Sequence, residues 1–194
     1  LSRNELAARM KPGAARNALD CALWDLEAKA GGRRVADAIG AAAPNALTTA
    51  YTLSLGEPEA MAAQAARHAH RPLLKVKVGT SDDVSRIAAV AEAAPRSRII
   101  LDANEGWNED NIRRHLLAAA RHGIALIEQP LPAGHDEILR NIPHPVPICA
   151  DESVHTVDDV EGLVDRYDAV NIKLDKAGGL TAALELRERA RALG

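Results

Sequence analysis

Five charged residues recur along the chain at close to even intervals: Lys77, Asp102, Glu128, Asp151 and Lys173. The intervals are 25, 26, 23 and 22 residues, and Lys75 stands two positions before the first. Each ends a short apolar run: LLKVKV (73–78), RIILDA (98–103), IALIEQ (124–129), VPICAD (146–151) and AVNIKL (169–174). Apolar strands have no structural use for a charge at the same level five times over. A lone buried carboxylate is costly unless it is paired or bound to a metal. Neighbouring strands lie about 4.8 Å apart, so Asp102, Glu128 and Asp151 can converge on one hard cation. An all-oxygen set without His or Cys suits Mg²⁺ or Mn²⁺ rather than Zn²⁺.

The lysines add proton chemistry. Residues two apart on a strand share a face, so Lys75 and Lys77 point the same way. Two adjacent ammonium groups disfavour each other's charge, which predicts a lysine pKa lowered toward the range of about 7–8 that suits a general base. Lys173 approaches from the far side of the carboxylate trio. A cation between two lysines is a layout for removing a carbon-bound proton next to a carboxylate. The metal takes the enediolate charge, one lysine removes the proton and the other returns it to the opposite face. The competing reading is a surface salt-bridge network. A single strand-end Asp is more often a cap or loop residue, and the KxK pair alone matches solvated lysines on an edge strand. The recurrence of all five favours chemistry.

The elements that must position these residues alternate. Helices are predicted over 14–30, 57–70, 81–94, 109–121, 156–166 and 179–193, with a short one near 135–141. Strands are predicted over 47–55 and the five runs above. Pro12 and Gly13 precede the first helix and Gly31-Gly32 stop it. Ser81 and Asp82 open the third helix and Pro95 closes it. Short, mostly continuous apolar strands are those of a parallel sheet buried on both faces. Strand–helix units of this length leave two architectures, a doubly wound sheet or a (β/α)8 barrel. No GxGxxG or GxxxxGK follows the first strand, which weakens the nucleotide-binding sheet. Active sites of α/β barrels lie at the carboxyl ends of the strands.

Composition narrows the function classes. The 194 residues carry 24 basic and 27 acidic side chains, a net charge of −3, which gives no electrostatic footprint for nucleic acid. No run approaches the roughly 20 apolar residues that cross a bilayer, so no membrane partner is expected. Hydrophobic residues make up 47% and aromatics 2%, so the core must be aliphatic. Cys21 and Cys149 have neither CxxC nor framework spacing and read as buried, reduced thiols of a cytoplasmic protein. From Leu1 onward no charged n-region precedes an apolar stretch, so no targeting signal is expected within these residues.

At KVKVG (75–79), LDANEGW (101–107), IEQPLP (127–132), ICADESV (148–154) and NIKLDKAGG (171–179) the chain resembles the enolase superfamily. The likeness covers essentially the whole chain and is closer to the muconate lactonizing subgroup, most of all to dipeptide epimerases acting on L-alanyl-D/L-glutamate. The resemblance implies a (β/α)8-type TIM barrel, of which about six units are present and the N-terminal capping domain is missing. Residues 1–45 would be the end of the capping region and the helix leading into the barrel, and 46–194 the first six strand–helix units. It also implies one Mg²⁺ per site, with Mn²⁺ as a substitute, held by Asp102, Glu128 and Asp151. Lys77 matches one acid/base with Lys75 tuning it, and Lys173 the opposing acid/base. By position, Asn104 and Gln129 would support these groups. The same lysines serve o-succinylbenzoate synthases, N-acylamino acid racemases and cycloisomerases, so the set defines the proton-transfer half-reaction rather than the substrate. The expected partner is a small carboxylate such as a dipeptide, and a homo-oligomer is compatible. Dipeptide epimerases carry an Asp-x-Asp pair on a later strand, and the cap carries loops over the substrate. A whole barrel runs to about 250 residues. Six strands leave two open edges, so a fragment is expected, and an inactive partial barrel is the non-enzyme alternative.

The seven histidines show no metal-ligand spacing and read as surface or loop residues, with His155 after ADES the one that could face the site. Arg33-Arg34 and the arginines of 187–191 read as solvated. Trp24, with Leu19, Leu23 and Leu26, reads as core. Trp107 either lines the site or covers the strand ends.

Overall fold

In the computed structural model, which describes residues 2–41 and 46–194, the elements follow one another as helix α1 (Arg3–Arg9), α2 (Ala14–Ala30) and α3 (Val35–Ala38), then strand β1 (Tyr51–Leu53). Next come α4 (Pro58–His68), β2 (Leu73–Lys77), α5 (Val84–Ala93), β3 (Arg98–Asp102), α6 (Ile112–Arg121) and β4 (Leu126–Glu128). A 3-10 helix (Glu137–Asn141), β5 (Ile148–Ala150), a second 3-10 helix (Val157–Leu163), β6 (Ala169–Val170), α7 (Leu174–Ala177) and α8 (Leu180–Leu193) complete the chain. Contacts divide it into two units. One holds the described residues before Thr48 with Val154–Gly162 and Ile172–Gly194; the other holds Thr48–Ser153 with Leu163–Asn171. The expected boundary at 45/46 adjoins residues 42–45, which lie outside the described residues.

The second unit contains the sheet. Its six strands are all parallel and lie in the order β1-β2-β3-β4-β5-β6. A doubly wound sheet reverses its strand order at a switch point. Unbroken sequential order is that of a β/α barrel, so the first architecture is set aside.

Register delivers the strand ends together: Lys77 pairs with Asp102, and Asp102 with Glu128. In β2 the burial alternates. Leu74 and Val76 are fully buried, while Lys75 and Lys77 occupy the opposite face. The continuously apolar reading holds for β5, buried at all three residues, but not for β2, whose second face carries the lysines. Helices cover the sheet with one stripe each. In α6, Ile112, His115, Leu116 and Ala119 repeat at helical spacing and are buried.

Several boundaries move for a local reason. Helix α5 starts at Val84 rather than 81 because the Asp83 side chain turns back to Gly79 and Thr80. Helix α6 starts at Ile112 because the Asn108 side chain takes the Asp110 and Asn111 N–H groups. The helix expected over 156–166 is a 3-10 helix, with Asp159 accepting from the His155 and Thr156 N–H groups at 2.9 and 2.7 Å. The last strand stops at Val170, so Lys173 does not end it but immediately precedes α7. Asp151 likewise sits one residue beyond β5.

Asp83 is a fully buried anchor for the loop after β2. It accepts from the Gly79 and Thr80 N–H groups at 2.8 Å, from Thr80 Oγ1 at 2.7 Å and from Trp107 Nε1 at 2.7 Å. His115 Nε2 accepts the Asp83 N–H at 3.1 Å, which requires a neutral ring. Burial is the main influence that lowers the His115 pKa. The surface role expected for His115 is thus overturned, because α6 aims it inward beside Trp107, 4.6 Å between ring centroids. Trp107 is buried under the strand-end loops, the covering role of its two alternatives.

Burial pushes the Asp83 carboxyl up, but the hydrogen bonds from Thr80, Trp107 and the backbone outweigh it and hold the pKa below its ordinary value. A depressed folded-state pKa stabilises above the unfolded value of about 3.9, and that stability disappears as pH falls through the folded value. Asp83→Asn is expected to lose about 2 kcal/mol at pH 7, since an amide cannot accept from all four donors. Its stability should also depend less on pH below about 4 than that of the wild type. Urea unfolding at both pH values checks this, and equal acid sensitivity in the two proteins would contradict it.

In the first unit, Asp20 of α2 receives the Thr181 N–H at 2.9 Å and its hydroxyl at 2.7 Å, which caps α8. Trp24 is buried, with the Arg3 guanidinium 3.6 Å above its ring and its Nε1 donating to Thr181. Leu19 and Leu26 do not join it. They are 44% and 61% exposed, because α2 turns them away from α1 and α8.

Candidate active site

The strand ends carry a compact cluster of opposite charges. Lys75 Nζ lies 2.6 Å from Glu128 Oε2 and 2.9 Å from Asp102 Oδ2. Lys77 Nζ lies 2.7 Å from the same Asp102 oxygen and donates to Asn104 Oδ1 at 2.5 Å. Both lysines therefore share one face, as their spacing predicts. The strands in register bring Asp102 and Glu128 side by side, and Asn171 Nδ2 fixes the second Glu128 oxygen, Oε1, at 2.9 Å. Asp151 is buried, and its N–H donates to Gln129 Oε1 at 2.8 Å. Four of the residues read from the sequence are thus joined by direct ion pairs. Asp151 is tied to the same strand ends through its backbone, and Lys173 belongs by its contacts to the other unit.

Burial disfavours the Lys75 ammonium, but hydrogen bonds to Glu128 and Asp102 and their charges outweigh it, and its pKa rises. The lowering expected from Lys77 is overturned for Lys75, because two carboxylates in direct contact outweigh one like charge. Burial, aided by the Glu128 and Asp151 charges, pushes the Cys149 thiol up to about 12, so this residue is inert. Both cysteines are free, but Cys21 is only half-buried.

The loops beyond β3 and β4 hold unusual backbone. Asn104, Glu105 and Gln129 have φ of 41°, 66° and 35°. Such conformations cluster where surrounding structure imposes them, at functional sites above all. Asn104 uses its conformation to bridge Lys77 and Glu152, its Nδ2 donating to Glu152 Oε1 at 3.1 Å. Gln129 ties the loop after β4 to the loop after β5. Asn171 and Glu152 were not singled out from the sequence. Asn171 could have been, since it stands two before Lys173 in the NIK motif; Glu152 carries no periodic signal.

Among the described residues, no three His, Cys, Asp or Glu side chains form a ready metal-binding group. The donor chemistry nevertheless fits a hard divalent ion. Asp102, Glu128 and Asp151 are 1%, 5% and 2% exposed, so each carboxylate demands positive charge. The Lys75 ammonium bridges two of them, an ion pair within the chain. Glu152 Oε2 is a further buried oxygen without a hydrogen-bond partner.

Consecutive parallel strands that bring paired lysines and carboxylates together at their carboxyl ends are the geometry of a β/α barrel carrying a charged cluster. Residues 59–194 match the family described as enolase C-terminal domain-like, and the chain belongs to that family. It is 47% identical to L-Ala-D/L-Glu epimerase of Escherichia coli (strain K12), over 100% of this chain and 61% of the relative. It is 46% identical to N-acetyl-D-glutamate racemase of a Pseudoalteromonas species, over 98% of this chain and 60% of the relative. Among solved structures it is similar to an enolase family member from Agrobacterium tumefaciens with homology to dipeptide epimerases. The TM-score is 0.97 at 61% identity, covering 100% of this chain and 60% of the other. That structure has bound sodium and L-Ala-L-Glu. Dipeptide epimerases from Cytophaga hutchinsonii and Enterococcus faecalis V583, at TM-scores of 0.85 and 0.87 and identities of 32% and 31%, are complexed with Mg and a dipeptide. They are matched over 91% and 98% of this chain and 50% and 56% of their own. The chain spans about three fifths of the length of the epimerase and the racemase it matches. Among the described residues no helix is long and apolar enough to cross a membrane.

Proposed function

We propose that the full-length protein carrying this chain is a Mg²⁺-dependent epimerase that moves the α-proton of a carboxylate substrate, with L-Ala-D/L-Glu as that substrate. The observation that carries this reading is the contact of Lys75 and Lys77 with one oxygen of Asp102, beside Glu128 on the next strand. It sets two lysine ammonium groups against carboxylates on adjacent strand ends, which supports assigning proton transfer to a lysine and ion binding to the carboxylates. The relatives' activities and the dipeptides in their structures favour the dipeptide as substrate.

In this reading Asp102, Glu128 and Asp151 hold the ion. Mg²⁺ when bound supplies the positive charge that stabilises the enediolate form of the substrate carboxylate. Lys77, the more exposed lysine, removes or returns the α-proton. Its side chain is 35% exposed against 23% for Lys75. Asn104 and Asp102 aim its Nζ. Lys75 balances the charge of Asp102 and Glu128. Lys173, assigned by its NIK motif, serves the opposite face of the α-carbon. Residues 1–45 form the end of the capping region and the lead into the barrel. Two unpaired cysteines suit a reducing cytoplasm.

The test is proton NMR in D₂O with Mg²⁺ and either L-Ala-L-Glu or N-acetyl-D-glutamate. The dipeptide is expected to exchange its glutamyl α-proton and yield L-Ala-D-Glu. Turnover of N-acetyl-D-glutamate alone would move the substrate to the N-acyl class, which the second relative supports. No exchange with either would remove the proton-transfer reading.

A further inference from the structure

Behind the strand ends lies a second polar cluster that the proton-transfer reading does not use. Asp136 is fully buried in the loop after β4. Its Oδ2 accepts from Tyr167 Oη at 2.6 Å and from Ser153 Oγ at 2.8 Å, and its Oδ1 is paired with Arg166. Gln129 Nε2 faces Tyr167 Oη at 2.9 Å, Ser153 Oγ at 2.8 Å and the Leu131 carbonyl at 2.9 Å. Its Oε1 receives the N–H groups of Asp151 and Ser153 at 2.8 and 3.0 Å. Burial, with the Asp136 carboxylate beside it, pushes the Tyr167 phenol up, so this hydroxyl stays a donor.

The cluster joins three separate stretches: the ends of β4 and β5 and the approach to β6. Gln129 directly follows Glu128, and Asp151 directly follows β5. The amide group that fixes one backbone therefore also fixes the other. An amide alone could rotate and exchange its oxygen and nitrogen. The Tyr167 and Ser153 hydroxyls prevent this, because both donate to Asp136 and so present only lone pairs to Gln129 Nε2. Asp136, held by Arg166, thereby sets the direction of every hydrogen bond down to the Asp151 N–H. Gln129 keeps φ at 35°, a conformation an L side chain rarely adopts and one the cluster must enforce.

We infer that Asp136, Tyr167, Ser153 and Gln129 are positioning residues that orient Glu128 and Asp151 for the divalent ion, acting through Gln129. The inference rests on the assignment of Glu128 and Asp151 as ligands under the proposed function. Groups that orient metal ligands typically change affinity by about 10–100-fold when lost.

Isothermal titration of the full-length protein with Mg²⁺ alone tests it, on wild type, Tyr167→Phe, Ser153→Ala and Gln129→Glu. Gln129→Glu keeps the shape but removes the donor. Thermal unfolding without metal shows which variants fold. A loss of Mg²⁺ affinity of about fivefold or more in the folded variants is the expected result. Affinity closer to wild type than that, even with a lowered unfolding midpoint, overturns the inference and leaves the cluster structural. Failure of all three variants to fold overturns it in the same sense. No Mg²⁺ binding by the wild type removes the metal reading, and this inference with it, so the two failures are distinguishable.

Discussion

Lys77→Ala in the full-length protein is expected to slow epimerisation by about 10²–10⁴-fold, while one diastereomer of the dipeptide still exchanges its α-hydrogen with D₂O. The α-proton beside a carboxylate is too weakly acidic for an amine alone, so charge stabilisation supplies most of the barrier reduction and the lysine supplies the transfer. If Lys77 and Lys173 serve opposite faces, each is base for one stereoisomer and acid for the other. Full epimerisation needs both; exchange with solvent needs only the lysine on the proton's side. Lys173→Ala should then show the mirror preference to Lys77→Ala. Proton NMR on L-Ala-L-Glu and L-Ala-D-Glu separately reads the outcome. The same diastereomer exchanging in both variants would defeat the two-base assignment. Lys77→Arg separates catalysis from ion pairing. It keeps a cation beside Asp102, but a guanidinium stays protonated and cannot act as base. It should therefore lose exchange of the same diastereomer as the alanine variant while unfolding near the wild-type midpoint.

A substitution far smaller than any charge change should have the next largest effect. A Cβ on Gly106 would lie 2.4 Å from the Gly79 carbonyl oxygen and 2.5 Å from the Gly79 Cα. Both are backbone atoms, so no flexible side chain can give way. Gly79 itself has φ of 123°, and a Cβ there would lie 2.5 Å from the Ala103 carbonyl oxygen. The loops after β2 and β3 thus touch backbone to backbone just beyond Lys77 and Asp102. Gly106→Ala must separate them. It is expected to cost about 3 kcal/mol in urea unfolding and about 10²-fold in kcat/KM, since displacements near 1 Å at a reacting group have that effect. Gly123→Ala is the control. Unlike Gly106 it has a positive φ, 65°, but nothing lies within 4 Å of its Cβ. It should cost about 1–2 kcal/mol from conformation alone and leave kcat/KM unchanged. Equal losses of activity in both variants would show that global stability, not the loop contact, is responsible.

The alternation of strands and helices and the ends of β2, β3 and β4 were legible in the sequence by itself. A βα unit has a characteristic length, and Lys77, Asp102 and Glu128 announce the strand ends at which they stand. Residue types alone also suggested the hard cation of the proposed function, since three carboxylates without His or Cys are hard oxygen donors. Local signals failed where a side chain competed with the backbone: Asp83 delays α5, and Asp159 turns an expected α-helix into a 3-10 helix. The tertiary structure decided what depends on residues distant in the chain. The sequential strand order, which separates a barrel from a doubly wound sheet, follows from pairing across whole βα units and leaves no mark on any one strand. The raised pKa of Lys75 follows from carboxylates 27 and 53 positions away, whereas the sequence offered only the neighbouring lysine as a perturber. His115 looked like a surface residue because burial of one helical position depends on what packs against it, here Trp107 and Asp83. The Asp136–Tyr167–Ser153–Gln129 cluster was invisible for the same reason. Hydrogen bonds between residues of unrelated loops have no periodicity, so the groups that orient the site become apparent once the chain has folded them together.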